Sequence, residues 1–202
     1  MPKIKRIVMA KIKWKGGALL APVPPVMVSC GDMENSNIIT VGWTGIINTQ
    51  PPKTYISIRK SRHSYNIIKD SGEFVINLTP KHLVKEADYC GIYTGKKVDK
   101  FAKCKFTKGA AQSVACPIIE ESPLSLECKV FDIIELCTHD MFLADIVGVD
   151  VSEEIIDQNG RLMLEKAGLV AYAHGEYFEL GKKIGKFGFS TAKKSKKTKT
   201  GG

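Results

Sequence analysis

Two groups of side chains in the first third of the chain have types and spacings that could do chemistry. Asn37, Thr40, Trp43 and Thr44 fall within one short stretch, interleaved with Gly42 and Gly45. An amide, two hydroxyls and an indole can edge a flat heteroaromatic ligand, with backbone N–H groups reaching its polar rim. Glycine inside a strand often marks a bulge or a close approach of backbone to a ligand. Composition alone equally allows Trp43 in the core and Asn37 in a turn. The second group is Arg59, Ser61, Arg62 and Ser64, where an apolar run gives way to a helical pattern. A helix N-terminus offers free N–H groups and a positive dipole end, and two guanidiniums with two hydroxyls add donors, which together suit a phosphate. The plainer alternative is a capped surface helix with solvated arginines.

Lys100, in KKVDKFAK, and His139, in a polar corner, carry less by themselves. A lysine among several is most often a solvated charge. A corner histidine is usually a turn residue, although its near-neutral pKa suits a functional role.

These residues need elements to hold them. An apolar strand is expected over 26–30. ITVGWTGIINTQPP, residues 39–52, reads as one long strand with a bulge at its glycines, ended by Pro51-Pro52. Residues 53–60 alternate, with Tyr55, Ser57 and Arg59 on one face and Ile56 and Ile58 on the other. A short helix follows, with Ser61 as N-cap and Gly72 just past its end. Further expectations are a strand over 73–78, a helix over 81–91, a helical turn over 99–103, and a short helix within 160–168. Two long apolar runs, 124–137 and 141–151, meet at Thr138-His139-Asp140 and form a hairpin. Many strands with few peripheral helices predict a mainly β fold, an antiparallel barrel. No βαβ alternation and no G-x-G-x-x-G opening a helix support a doubly wound dinucleotide fold.

The formal net charge is +9, but its distribution speaks against nucleic acid as partner. Fourteen of the 30 basic residues lie before Gly16 or after Gly181, whereas all 21 acids lie between Asp32 and Glu179. Basic ends on a net acidic body are usually solvated and mobile. The reading divides the chain into a basic extension over 1–18, one domain over 19–190 and a disordered lysine-rich tail over 191–202. The six cysteines (Cys30, Cys90, Cys104, Cys116, Cys128, Cys137) include no C-x-x-C and no zinc-like spacing. No signal peptide and no span of sufficient apolar length is seen, which predicts a cytoplasmic protein with reduced thiols and no membrane partner.

In order along the chain stand N-x-x-T-x-x-W (Asn37, Thr40, Trp43), Pro51-Pro52, R-x-S-x-x-S (Arg59, Ser61, Ser64), G-E-F-V-I-N (72–77) and H-D-M-F-L-A-D-I-V (139–147). This order resembles the flavoredoxin and flavin reductase-like family over roughly residues 20–185. The resemblance implies an FMN-binding split β-barrel, antiparallel and of Greek-key type, working as a homodimer. It implies that Asn37, Thr40, Trp43 and Thr44 line the isoalloxazine, that Ser61 and Ser64 with Arg59 or Arg62 hold the phosphate, and that Lys100 and His139 set a basic group against the flavin. The flavin itself would carry the chemistry, so no dedicated catalytic side chain is expected. The implied activity is passage of electrons from NAD(P)H through FMN to free flavin, ferric iron or a redox partner protein. A flavoredoxin-type carrier without efficient NAD(P)H activity shares every motif. A non-catalytic small-barrel binding module is the reading from another class.

Overall fold

The computed structural model describes residues 8–191. The lysine-rich tail expected over 191–202 therefore lies, apart from Thr191, outside the described residues, as do residues 1–7 of the basic extension.

The order of elements is β1 (Val26–Gly31), β2 (Ser36–Val41), β3 (Thr44–Thr49), β4 (Pro52–Ile58), α1 (His63–Ser71) and β5 (Glu73–Leu78). Then come α2 (Val84–Ile92), α3 (Lys100–Cys104), β6 (Lys108–Gly109), β7 (Ile118–Ile119), β8 (Leu124–Glu135), β9 (Asp140–Val151), β10 (Val170–Ala173) and β11 (Glu176–Glu179). Seven strands form one antiparallel sheet in the order β2-β1-β5-β8-β9-β4-β3.

That order forces the sheet to curl. β2 and β3 are separated by only Gly42 and Trp43, yet they occupy opposite edges. Seven flat strands would hold their edges roughly 29 Å apart at the usual spacing, whereas Val41 and Thr44 are three Cα steps apart, at most about 11 Å. The edges must meet near Gly42-Trp43, which makes an antiparallel barrel with a seam there. The long strand expected over 39–52 is corrected accordingly: the run breaks at Gly42-Trp43, and its two halves serve different edges.

Alternation along β1 explains its continuous apolar run. Val26, Val28 and Cys30 join Ile39, Val41, Ile56, Ile58, Phe74 and Phe142 inside the barrel. Met27, on the opposite face, packs with Ile38, Leu83, Ala87, Cys90, Phe101 and Phe106 under α2 and α3. β1 and β2 are thus buried on both faces. α1 closes one end of the barrel with Tyr65 and Ile68. Its C-terminus stops at Gly72, whose φ of 69° is left-handed and whose N–H donates to Ile68 O at 2.9 Å. The expected helix over 160–168 shrinks to one 3-10 turn, Leu164–Lys166. No described helix is long and apolar enough to cross a membrane.

Candidate functional site

A row of connected clefts runs along the seam. The central cleft, about 370 Å³, lies over β2 and β4 and is lined by Thr40, Trp43, Arg59, Ser61, Arg62 and His139, among others. A smaller hollow of about 130 Å³ continues from it past Ser61 and Arg62 to Asn37, Ser64, Gly95 and Lys100. On the other side of Trp43 a third cleft, about 330 Å³, is walled by Asp88, Tyr172 and Tyr177. Trp43 is 39% exposed, so it is a wall of the clefts and not a core residue.

Two helix ends of opposite polarity face the small hollow. α1 begins at Arg62, which offers no side-chain cap, and no acid lies in the first turn. Its leading N–H groups and positive dipole end are therefore left for a ligand. Ser61, expected as the N-cap, lies one residue before the actual cap, Arg62, and lines both the central cleft and the hollow. From the other side, the last turn of α2 presents orphan carbonyls, and cations fill them. Arg62 Nη2 donates to Gly91 O. Lys100 Nζ donates to Cys90 O at 2.8 Å and to Ile38 O at 2.6 Å.

Lys100 is only 3% exposed. Among the described residues no carboxylate pairs with it. An ammonium has three donors, so one is left beyond the two carbonyls. Burial lowers its pKa to about 8, with the Arg62 charge adding to the effect against a partial offset from Cys90. His63 is likewise held below its ordinary value by burial and by the charges of Lys96 and Lys100. A buried, unpaired cation is costly unless something anionic completes its surroundings. The hollow supplies that place.

Asn37 Nδ2 donates to Ser64 Oγ at 2.8 Å, which joins β2 to α1 at the floor of the hollow. Gly95 approaches this pair so closely that a Cβ there would lie 2.1 Å from Asn37 Oδ1. Asn37 is buried and cannot swing aside freely. Gly95→Ala is therefore expected to cost about 1–3 kcal/mol of stability, as overpacked sites do, read as a shift in the urea midpoint with an unchanged slope.

His139 is carried at the β8–β9 corner. The next residue, Asp140, fixes that corner to α1: its carboxylate accepts from Tyr65 OH at 2.6 Å and from Leu136 N at 3.1 Å, and pairs with Lys60 at 3.3 Å. The Tyr65 hydrogen bond holds the Asp140 carboxyl below its ordinary range. His139 Nδ1 lies 2.9 Å from Thr138 Oγ1, and burial and the Arg59 charge keep its pKa low. Lys100 and His139 stand in different clefts of the row.

Nine of the ten residues singled out from sequence line the central cleft or the hollow: Asn37, Thr40, Trp43, Arg59, Ser61, Arg62, Ser64, Lys100 and His139. Thr44 does not. Its hydroxyl donates to Tyr55 O at 2.6 Å within the β3–β4 pair. Thr40 lines the central cleft while its hydroxyl donates to Ala87 O. Of the two glycines, Gly42 lines two of the clefts, whereas Gly45 sits under the Tyr55 ring, 3.4 Å from where a Cβ would be. Ser57, Thr94, Gly95, Asp88, Tyr172 and Tyr177 were not foreseen. Only Ser57 had a signal, its place on the Tyr55–Arg59 face of β4.

A family model described as flavin reductase like domain matches residues 19–181. Flavoredoxin of Desulfovibrio vulgaris (Miyazaki F) superposes with a TM-score of 0.84 at 31% identity, covering 91% of this chain and 100% of that one. Flavoredoxin from Methanosarcina acetivorans gives 0.82 at 27% identity, with the same coverage of 91% and 100%. FMN reductase (NADH) RutF of Pseudomonas syringae pv. syringae is 23% identical over 105 residues, 51% of this chain and 56% of that protein.

Proposed function

Since the chain belongs to the flavin reductase-like family, we propose that it binds FMN along the seam and passes electrons from NAD(P)H to free flavin, ferric iron or a redox partner protein. The observation that carries this reading is the buried Lys100 ammonium, without a carboxylate partner among the described residues, beside the uncapped start of α1. The donor set fits the phosphate of FMN: a lysine, Arg62, Ser61 and free N–H groups converge on one small hollow. The central cleft fits the flat ring system, with Trp43 as a wall and Arg59 and His139 as its basic side.

FMN, when bound, supplies acceptance of hydride from a nicotinamide and onward transfer of electrons. The chain's own residues bind and tune. Asn37 holds Ser64 in place, Arg62 and Lys100 neutralise the phosphate, and α2 fixes both cations through its last carbonyls. Arg59 puts positive charge beside a ring that becomes more negative on reduction, which raises its potential, while His139, its pKa held down by burial and by Arg59, stands there as a neutral imidazole. No side chain is required to move a proton to or from the substrate.

Purified protein is expected to be yellow, with bound FMN released on denaturation. A colourless protein that takes up no added FMN overturns both redox readings and favours the non-catalytic module. The two flavoredoxin likenesses favour a second reading, an electron carrier without efficient nicotinamide activity. Anaerobic mixing separates the two. NADH or NADPH bleaches bound FMN in a reductase, and neither does in a carrier.

The working unit is residues 19–190, acting as a homodimer. Ile46, Ile47, Phe131, Ile134, Val147 and Val149 leave apolar side chains exposed on β3, β8 and β9, apolar surface that a second copy could cover. Sedimentation equilibrium is expected to give twice the 22.2 kDa chain mass. Ile47→Lys with Phe131→Lys should return it to the monomer, and a wild-type monomer would remove the homodimer. The six free thiols support a reducing, cytoplasmic setting.

A further inference from the structure

Cys90, in the last turn of α2, and Cys104, at the end of α3, bring their sulfurs to 3.9 Å. They come from different helices and face each other under the cluster that packs α2 and α3 onto β1 and β2. Cys90 is fully buried. Cys104 is half-buried and lines a cleft of about 470 Å³ on the outer side of α2, with Glu86, Tyr89, Tyr93 and Lys103. One sulfur is thus open to a small solute, and the other is behind it.

We propose that Cys90 and Cys104 are an oxidisable dithiol, which hydrogen peroxide converts to a disulfide that clasps α2 to α3. The sulfurs must close by roughly 1.9 Å to reach bonding distance. Cys104, as thiolate, attacks one peroxide oxygen; the O–O bond breaks, and the leaving hydroxide takes up a proton as water. Cys90 then attacks the sulfenic sulfur of Cys104. The S–O bond breaks, the S–S bond forms, and the second water leaves with the Cys90 proton. Two thiols lose two electrons and two protons, and one peroxide becomes two waters.

The bond would close a ring of chain through residues 91–103. That ring contains Tyr93, Thr94 and Gly95, the rim of the small hollow, and Lys100 within it. Oxidation would therefore tether the segment that carries the hollow's cation. Burial pushes both thiols above their ordinary pKa, so the thiolate of Cys104 is a minor species near neutral pH and the step with peroxide is slow. Exposed Cys137 is the rival thiol on the described surface.

Peptide mapping of the full-length protein tests this. The chain is treated with hydrogen peroxide, alkylated, and digested with trypsin without reductant. Cleavage after Lys85, Lys96, Lys103 and Lys105 leaves each cysteine of the pair alone in its fragment. The expected product joins 86–96 to 104–105, with the loss of two hydrogens, and reverts on reduction. Cys104→Ser is expected to leave 86–96 fully alkylated after the same treatment, and this half-buried position tolerates the change. The oxidised wild type should melt higher than the reduced protein, since the crosslink restricts the unfolded chain, and the rise should vanish in Cys104→Ser. Alkylation of both thiols after saturating peroxide, a bond to Cys137 instead, or an oxidised protein that melts no higher overturns the proposal.

Discussion

Replacing Lys100 with methionine weakens FMN retention about 10- to 150-fold, the worth of a hydrogen bond to a charged group, while the melting temperature of the apoprotein stays near that of wild type. The two halves of this expectation have different causes. Retention falls because the hollow loses the cation that faces the phosphate. Stability holds because methionine keeps most of the side-chain volume and ends the burial of an ammonium that no described carboxylate pairs, which offsets two lost hydrogen bonds, to Ile38 O and Cys90 O. Flavin titration by fluorescence and apoprotein melting check the two separately. A lysine that serves only as a prop would give the reverse, a lower melting temperature with unchanged retention.

The same residue sets a pH signature. Burial brings Lys100 to about 8 from an ordinary 10.5. An anion pairs with the charged form, so FMN affinity is complete below pH 8 and declines as pH rises through it. For folding the sign is opposite. Between pH 8 and 10.5 the unfolded chain keeps a proton that the native apoprotein has lost, so the contribution of this group to stability increases with pH across that window. Other groups titrate there too, so the difference between wild type and Lys100→Met is the measurement. That difference should grow in favour of wild type from pH 8 upward.

Arg62→Met is the second large effect, and riboflavin is its control. Arg62 is the residue from which α1 starts, and it lines both the central cleft and the hollow while one guanidinium nitrogen is tied to Gly91 O. A guanidinium has five N–H donors, so several remain for a phosphate after that tie. The variant should bind FMN about 10- to 150-fold more weakly and riboflavin, which has no phosphate, nearly as before. The ratio of the two affinities therefore collapses. Equal losses for both flavins would mean that Arg62 supports the ring or the fold instead. Lysine at this position should restore only part of the ratio, since a point charge cannot hold Gly91 O and a phosphate in one fork.

Local pattern made most of the elements readable. β5, the β8–β9 hairpin and α1 with its Gly72 stop lie where alternation, branched apolar runs and a C-terminal glycine predict them. Local pattern failed where distant chain decides. Nothing within ITVGWTGIINTQPP says that its halves belong to opposite edges of a sheet, because that depends on β4 and β1 claiming one half each. The burial of Lys100 comes from α3 docking its first residue against β2 and the end of α2, so its own neighbourhood still reads as a solvated lysine run. Thr44 looked equal to Thr40 in the sequence, yet two residues of break turned it toward Tyr55 and away from the clefts. The β10–β11 hairpin, short and flanked by glycines, gave no pattern strong enough to read, and it supplies Tyr172 and Tyr177 to the third cleft.

The break at Gly42-Trp43 leaves one end of the β3–β4 ladder at the cleft, where its amides can exchange with solvent. The Ser57 N–H donates to Trp43 O at 2.9 Å, one step beyond the Thr44–Ile56 end of the β3–β4 ladder, and Ser57 and Trp43 both line the central cleft. Fraying of that ladder end frees the amide, and a ligand held against Trp43 opposes the fraying. Deuterium uptake at Ser57 is thus a gauge of occupancy that needs no chromophore and no turnover. Its protection should rise with ligand concentration, while that of Ile76 in the middle of the sheet stays constant.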